Sequence, residues 1–249
     1  MKFNIFIFIT MFNFLFSNNI SGYELAELLD QKKQPLSSKT EISMTLINLK
    51  KDRSKLKEMV SITKDDGNKM LLFFKSPKRD KGVGFLKIED SNNDKLSLFI
   101  PKLKKIRRIS TSNQSDSFMG SDLSFEDMLS RDLSDYEYNI ISESDSMYVL
   151  ESVSKDIESE YSKHISWVTK KDLLIKKEES YDKKNILLKS KLFKQVKMNE
   201  YYLISEIDVT NVQKNHRTIL TINTLEVDGD INDDTFKEIN LKRSDKFIN

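Results

Sequence analysis

The chain holds only two histidines, His164 and His216. They fall in separate strand-like segments, and no metal-ligand spacing surrounds either one. Two imidazoles and a carboxylate could bind a metal, but nothing in the sequence brings these together, so both are read as surface or hairpin positions. Serine is abundant, yet none lies in a nucleophile-elbow sequence, and a triad needs a histidine held by a carboxylate. The absence of cysteine removes disulfides, thiolate metal sites and thiol nucleophiles. Asp116, Asp122, Glu126 and Asp127 crowd one stretch and could chelate a hard cation. An EF-hand loop starting at Asp116 would need an oxygen ligand where Phe118 stands and glycine where Ser121 stands. The run Asp228-Gly229-Asp230-Ile231-Asn232 begins better, but Asp233 occupies the glycine position. Both stretches read as turns with helix-capping carboxylates. Paired carboxylates of the glycosidase kind are a matter of spatial separation, which sequence does not supply. The residues therefore assign no catalytic group, no metal site and no cofactor, and a non-enzymatic role is expected.

The segment from Pro101 to Ile109 packs Lys102, Lys104, Lys105, Arg107 and Arg108 into seven positions. On a strand, Lys102, Lys104 and Arg108 would share one face and Lys105 and Arg107 the other. Charge on both faces means that neither is fully buried in a dry core. Two readings stand: contact with phosphate or lipid headgroups, where arginine bonds in bidentate fashion, or an edge strand guarded against unwanted pairing.

These residues must be positioned by a mainly β framework. The 249 residues suffice for one large β domain, and 41 basic against 39 acidic residues leave a formal charge of +2. That balance gives no footing for nucleic-acid binding, which needs a marked basic excess. Met1-Lys2, the apolar run Phe3 to Phe16 and the small-residue boundary from Ser17 to Gly22 are the three parts of a secretory signal. The run is shorter than the roughly 20 residues of a membrane-spanning helix. A signal peptide over 1–21 and one domain over 22–249 are expected. With no cysteine to carry a lipid anchor, the exported product is expected to be soluble, periplasmic and monomeric.

Gly22 to Gln34 reads as an amphipathic helix with Leu25, Leu28 and Leu29 on one face and Pro35 as its stop. From Ser37 the period becomes two, with Ile42, Met44 and Leu46 sharing a face. Roughly a dozen alternating runs follow, separated by turns such as Asp66-Gly67-Asn68, Asn92-Asn93-Asp94, Asp182 to Asn185 and Lys214-Asn215. Short spacers imply antiparallel hairpins. So many strands should curl into a barrel or half-barrel. Thr111 to Asp135 breaks the rhythm, with a short helix expected over Ser124 to Arg131, capped by Ser124 with Asp127 at its third position. Asp233 to Asn249 reads as a turn and a frayed tail.

Lys81-Gly-Val-Gly-Phe-Leu-Lys87, Leu98 to Ser110, and above all the block Ser115-Asp-Ser-Phe-Met-Gly-Ser-Asp-Leu-Ser-Phe-Glu-Asp-Met128 resemble outer-membrane lipoprotein-sorting proteins of the LolA/LolB-like family. Trp167 with Glu178 to Asp182, His216-Arg217-Thr218 and Asp234-Thr235-Phe236 resemble that family's later strands. Phe99 stands where a bulkier aromatic is common, and Asn185 where a turn glycine is common. The resemblance implies a single antiparallel incomplete β-barrel, with an N-terminal helix and a short lid helix, around an apolar concavity. It further implies a periplasmic carrier that shelters lipid or lipoprotein acyl chains on the way to the outer membrane, with an inner-membrane transporter and an outer-membrane acceptor as partners. Alternatives are a lipoprotein-sensing regulatory domain and an exported carboxylate-dependent hydrolase. On the carrier reading, Ile42, Met44, Leu46, Leu86, Ile88, Leu98 and Ile100 are candidates for the lipid-facing surface. Phe118 and Met119 would belong to a lid. Lys104, Arg107 and Arg108 would meet headgroups or pair with Asp116 or Asp122.

Overall fold

The computed structural model describes residues 20–90 and 94–248. The expected signal segment through residue 19 and the Asn92-Asn93 turn lie outside these. Helix α1 (Gly22–Asp30) begins in a capping box: the Ser21 hydroxyl accepts from the Glu24 amide at 3.1 Å, and the Glu24 carboxylate accepts from the Ser21 amide at 2.7 Å. Its Leu25 and Ala26 are buried against Leu150 and Val168, with Ile20 and Leu29 packed beside them. A Cβ on Gly22 would stand 2.5 Å from the Tyr138 carbonyl oxygen, so only glycine lets the helix start lie directly on the sheet.

Thirteen strands follow: β1 (Ser37–Asn48), β2 (Arg53–Lys64), β3 (Lys69–Ser76), β4 (Gly84–Ile88), β5 (Lys95–Ile100), β6 (Lys105–Ile109), β7 (Tyr136–Glu143), β8 (Met147–Ser154), β9 (Tyr161–Thr169), β10 (Ile175–Asp182), β11 (Leu187–Met198), β12 (Tyr201–Asn211) and β13 (His216–Val227). They form one antiparallel sheet in the order β6-β5-β4-β3-β2-β1-β13-β12-β11-β10-β9-β8-β7, unclosed, with β6 and β7 at its edges. Every strand pairs with its sequence neighbours except β6 and β7, which lie at opposite edges, and at the centre β1 joins β13 from Ser38↔Val227 to Asn48↔His216. The turns use the expected residues: Gly67, Asn185 and Asn215 all take positive φ, the conformation that glycine and asparagine tolerate best.

The sheet is covered on both sides. On the front face, Met44, Leu46, Met59, Leu72, Phe74, Phe85, Leu96, Leu98 and Val209 form one cluster with Phe118, Leu123 and Phe125 of the β6–β7 connection. On the back face, Val60, Ile62, Leu71, Phe73 and Leu86 pack under Phe236, Leu241 and Ile248. The segment expected to fray after Asp233 is therefore a cover built of short 3-10 turns. Phe247 stacks on Phe73 with centroids 5.3 Å apart. A Cβ on Gly84 would meet Phe73 at 2.6 Å and Leu241 at 3.0 Å, so this glycine seats the cover. The helix expected over Ser124–Arg131 is a single 3-10 turn, Glu126–Met128. The Ser124–Asp127 exchange of bonds is present, but the Asp127 side chain is also bonded to Lys189 and Lys191 across the sheet, and the turn does not propagate.

Candidate functional site

The β6–β7 connection crosses the front face as a plug. Phe118 is 2% exposed, with its ring 5.2 Å from Phe85, 5.7 Å from Phe125 and 6.3 Å from Phe74. Met119 and Gly120 turn the chain through positive φ, and a bridge between Ser117 and Ser124 closes the loop. Its margins are held by polar contacts from the sheet. Lys57, in line with Met44, donates to the Met119 carbonyl at 2.8 Å and lies 3.0 Å from Asp80. Asp122 accepts from the Thr218 hydroxyl at 2.6 Å and stands 2.7 Å from His216 Nδ1. A carboxylate facing that nitrogen fixes the proton on Nδ1.

Further along the sheet, the front face changes character within one cross-strand row. Partners run Leu46↔Thr218, Thr218↔Val209, Val209↔Lys191, Lys191↔Glu178 and Glu178↔Ser166. Around the last of these lies a buried ionic cluster. Asp127 of the plug bonds Lys191 at 2.7 Å and Lys189 at 2.9 Å. Arg131 clasps Glu178 through two bonds of 2.6 and 2.9 Å, the bidentate geometry that only arginine offers. Lys191 also reaches Glu178 at 3.2 Å, Lys189 reaches Glu160 at 3.0 Å, and the Tyr161 hydroxyl donates to Asp127 at 2.8 Å. Three cations thus meet three carboxylates, which is how buried charge is tolerated.

The electrostatics follow from this pairing. Burial pushes Asp127 up, but Lys191 and Lys189 outweigh it and hold the carboxyl well below its usual range. Burial likewise raises Glu178, and Arg131 and Lys191 reverse the effect. Lys191 is pushed down by burial and raised more by Asp127 and Glu178. His164, fully buried beside the cluster, is driven well below its ordinary 6.5 by burial and then by Arg131. Its Nδ1 lies 2.9 Å from the Ser180 hydroxyl, and among the described residues its Nε2 has no hydrogen-bond partner. Carboxylates clamped as anions cannot serve as general acids. Asp94 goes the other way, raised by burial and by Glu89. It lines a cavity of about 860 Å³ with Asp30, Asp66, Glu89 and Asp132. Glu89 is itself engaged, by Lys87 at 2.5 Å and by the Ser130 amide at 3.0 Å.

The expected residues separate into groups. Met44, Leu46 and Leu98 are buried on the front face, with Ile42 and Ile100 half-buried beside them, and Phe118 and Met119 lie in the plug. Leu86 and Ile88 are on the back face, packed under the C-terminal cover. Lys104, Arg107 and Arg108 are exposed on the β5–β6 turn and on edge strand β6, as edge protection requires. Among the described residues none of the three pairs with Asp116 or Asp122, and Arg108 approaches Glu238 at 3.8 Å instead. Leu98, Arg107, Asp116 and Met119 do line a common cavity of about 330 Å³ beside the plug. His164 is a core residue rather than a surface one, and His216 secures the plug. Arg131, Lys189 and Lys191 drew no attention in sequence. Lysines alternate in Leu188-Lys189-Ser190-Lys191 with no motif around them, and only the fold brings acids opposite them. Among the described residues no three metal-ligating side chains group around an ion site. No described helix is long and apolar enough to cross a membrane.

The chain thus presents an open antiparallel sheet with a plugged apolar face and one capping helix. A family model described as "uncharacterized protein" matches residues 66–243, and the chain belongs to that family. Curated proteins give no match. Among solved structures, the chain is similar to a domain from Vibrio parahaemolyticus assigned as an outer membrane lipoprotein-sorting protein. The identity is 28%, over 89% of this chain and 98% of that one, with a TM-score of 0.81. A DUF1329 family protein from Desulfovibrio piger matches at 27% identity over 88% and 97%, also with a TM-score of 0.81. A LolA superfamily protein from Nitrosomonas europaea shares the fold at 17% identity over 89% and 99%, with a TM-score of 0.71. The likeness to outer-membrane lipoprotein-sorting, LolA/LolB-like proteins thus extends over nearly all of the described chain.

Proposed function

We propose that the protein is a periplasmic, non-enzymatic carrier that receives lipid or lipoprotein acyl chains on the front face of its sheet for transport towards the outer membrane. In this reading the sheet curls as a half-barrel, and the plug, with its 3-10 turn, is the lid. The observation that carries the proposal is the plug itself. Phe118, Leu123 and Phe125 are aromatic and aliphatic groups seated on the apolar front face, in the place acyl chains would take. On one side Lys57, Thr218 and His216 hold the plug by polar contacts that water can replace, while Asp127 and Arg131 anchor its other side in the ionic cluster as the hinge of this reading. Each buried methylene contributes about 0.8 kcal/mol, so a long acyl chain has ample driving force to take over this surface. Ile42, Met44, Leu46, Leu98 and Ile100 would line the uncovered site, with Phe118 and Met119 on the moving side. Leu86 and Ile88 are assigned to packing under the cover. Arg107 and Asp116 would stand at the mouth of the cavity they share.

Export through the signal at the N-terminus belongs to the same proposal, with one domain thereafter. The boundary is proposed within Ser17 to Gly22, and the packing of Ile20 beside Leu25 and the Ser21 cap of α1 favour its earlier part. An inner-membrane donor and an outer-membrane acceptor would be the partners. The test is extraction of protein isolated from the periplasm, followed by mass spectrometry and exchange with a fluorescent acyl probe. Co-purified or exchangeable lipid supports the carrier. No uptake, together with hydrolytic turnover abolished by Asp94→Asn, would replace it with a hydrolase.

A further inference from the structure

The hairpin tips are not alike at the two ends of the strands. Three adjacent tips, β10–β11, β12–β13 and β1–β2, are joined into one rim. The Leu49 amide donates to the Asn215 carbonyl at 3.0 Å, the Val212 amide to the Leu188 carbonyl at 3.0 Å, and the Gln213 side chain to Asp182 at 2.9 Å. Each tip exposes one aliphatic side chain: Leu49 at 48%, Ile186 at 54% and Val212 at 39%. The turns do not need these residues. Positive φ is supplied by Asp52, Asn185 and Asn215, which leaves the three aliphatic groups in water with no local role.

Each aliphatic is accompanied by cations. Lys50, Lys51, Arg53 and Lys55 follow Leu49, Lys183 and Lys184 precede Ile186, and Lys214 follows Val212. All seven are exposed, and among the described residues none forms an ion pair. The rim carries only two carboxylates, and Asp182 is already bonded to Gln213 and to the Lys184 and Ile186 amides. The β5–β6 turn, at the same end of its strands, repeats the pattern with Leu103 at 63% exposure between Lys102 and Lys104. At the opposite ends of these strands the turns hold Asp65 and Asp66, Glu200, and Asp228 and Asp230, against Lys170 and Lys171. At the rim end the β8–β9 tip beside β10–β11 adds Asp156 and Glu158 around Ile157, which is 89% exposed, so the cationic stretch runs from β10–β11 across β12–β13 and β1–β2 to β5–β6.

We infer that this rim is a docking surface for an anionic lipid bilayer. Cations at such a surface are each worth about 1 kcal/mol, which converts to about fivefold in partition, and the field orients a polar molecule before contact. The three aliphatic tips then enter the headgroup layer, where a short apolar side chain flanked by lysines fits. A rigid row of tips gives an interface that needs no rearrangement of the sheet. Docking depends on the rim alone and does not require the carrier reading.

The experiment is co-sedimentation of the full chain with phosphatidylcholine vesicles, with and without phosphatidylglycerol, at low and high salt. Wild type is compared with Lys50→Glu/Lys51→Glu/Lys214→Glu and with Leu49→Ser/Ile186→Ser/Val212→Ser. The N-terminal apolar segment is common to all three, so differences belong to the rim. The charge variant should lose at least about a hundredfold in partition to anionic vesicles, at about fivefold for each lysine lost and more from the repulsion each glutamate adds. The serine variant should bind with the same salt dependence but more weakly. Equal binding to neutral vesicles, or a charge variant within twofold of wild type, overturns the inference. So does equal affinity for a heparin matrix, which would mark a general polyanion surface. Circular dichroism confirms that each variant is folded. Probe uptake should persist in both variants, whereas loss of uptake with vesicle binding intact would sink the carrier and leave the docking surface standing.

Discussion

Phe118→Ala separates a lid from a core. The side chain is 2% exposed and touches three aromatic rings, so its truncation costs about 3–5 kcal/mol wherever those contacts are made. The question is which equilibrium bears the cost. If the plug leaves the front face as a unit while the sheet stays folded, the loss falls on the closed state of the plug. Apparent affinity for an acyl chain is the intrinsic affinity reduced by the open fraction. A loss of about 3 kcal/mol would then raise the open fraction, and probe affinity, about a hundredfold, until the plug is open most of the time. The melting temperature would move little once the plug is already detached. If Phe118 is instead part of one cooperative core, the same loss appears in global stability. For a chain of this size that lowers Tm by about 6–12 °C, from about 2–4 °C per kcal/mol. Titration with a fluorescent acyl probe and a thermal melt, both on the same preparation, decide the matter. A drop in Tm of that size with probe affinity unchanged or weakened would refute the lid.

Lys191→Met removes a cation shared by Asp127 and Glu178, and should destabilise the protein by about 3–5 kcal/mol in a denaturant titration, because both anions stay buried with less compensation. Acidification should destabilise in two windows. His164 is depressed in the fold, so the unfolded chain takes up its proton first, and stability present above pH 6.5 is lost as pH falls below it. Asp127 and Glu178 are also depressed and add a second loss as pH falls below their ordinary 3.8 and 4.5, and urea midpoints across pH should show both. His164→Gln should remove the first window and leave the second. On the edge strand, Arg107→Thr/Arg108→Thr should leave Tm within a few degrees yet promote self-association seen by light scattering, since the guard on the β6 edge is gone.

The sheet was largely legible because half-buried strands announce themselves. Ile42, Met44 and Leu46 alternate, and they do share the front face. The same reasoning misplaced Leu86 and Ile88, since around β3 the pattern gives way to the continuous run Leu71-Leu72-Phe73-Phe74, which is buried on both sides. Once both faces are covered, alternation no longer tells front from back. The cover over the back face is built from Phe236, Leu241 and Ile248, too widely and irregularly spaced to show a period. The Ser124–Asp127 exchange was visible in sequence, and the failure of the helix to extend was not, because its cause lies at Lys189 and Lys191, far along the chain. Those lysines were the hardest to read. A lysine on a strand signals solvent by composition, and only pairing across space makes it part of the interior.

The two strands at the centre of the sheet come from opposite ends of the described chain. β1 and β13 share a ladder, although Ser38 and Val227 are separated by nearly the whole sequence. Hairpins on either flank can form early and cheaply, but the join between the halves waits until β13 has been synthesised, and loop closure over such a distance is slow. Until then β1 presents a bare edge and the front and back covers have only part of their seat. A polypeptide built this way resists premature completion. On the export reading, that delay would keep the chain pliant enough to be threaded through a translocation channel before its two halves join.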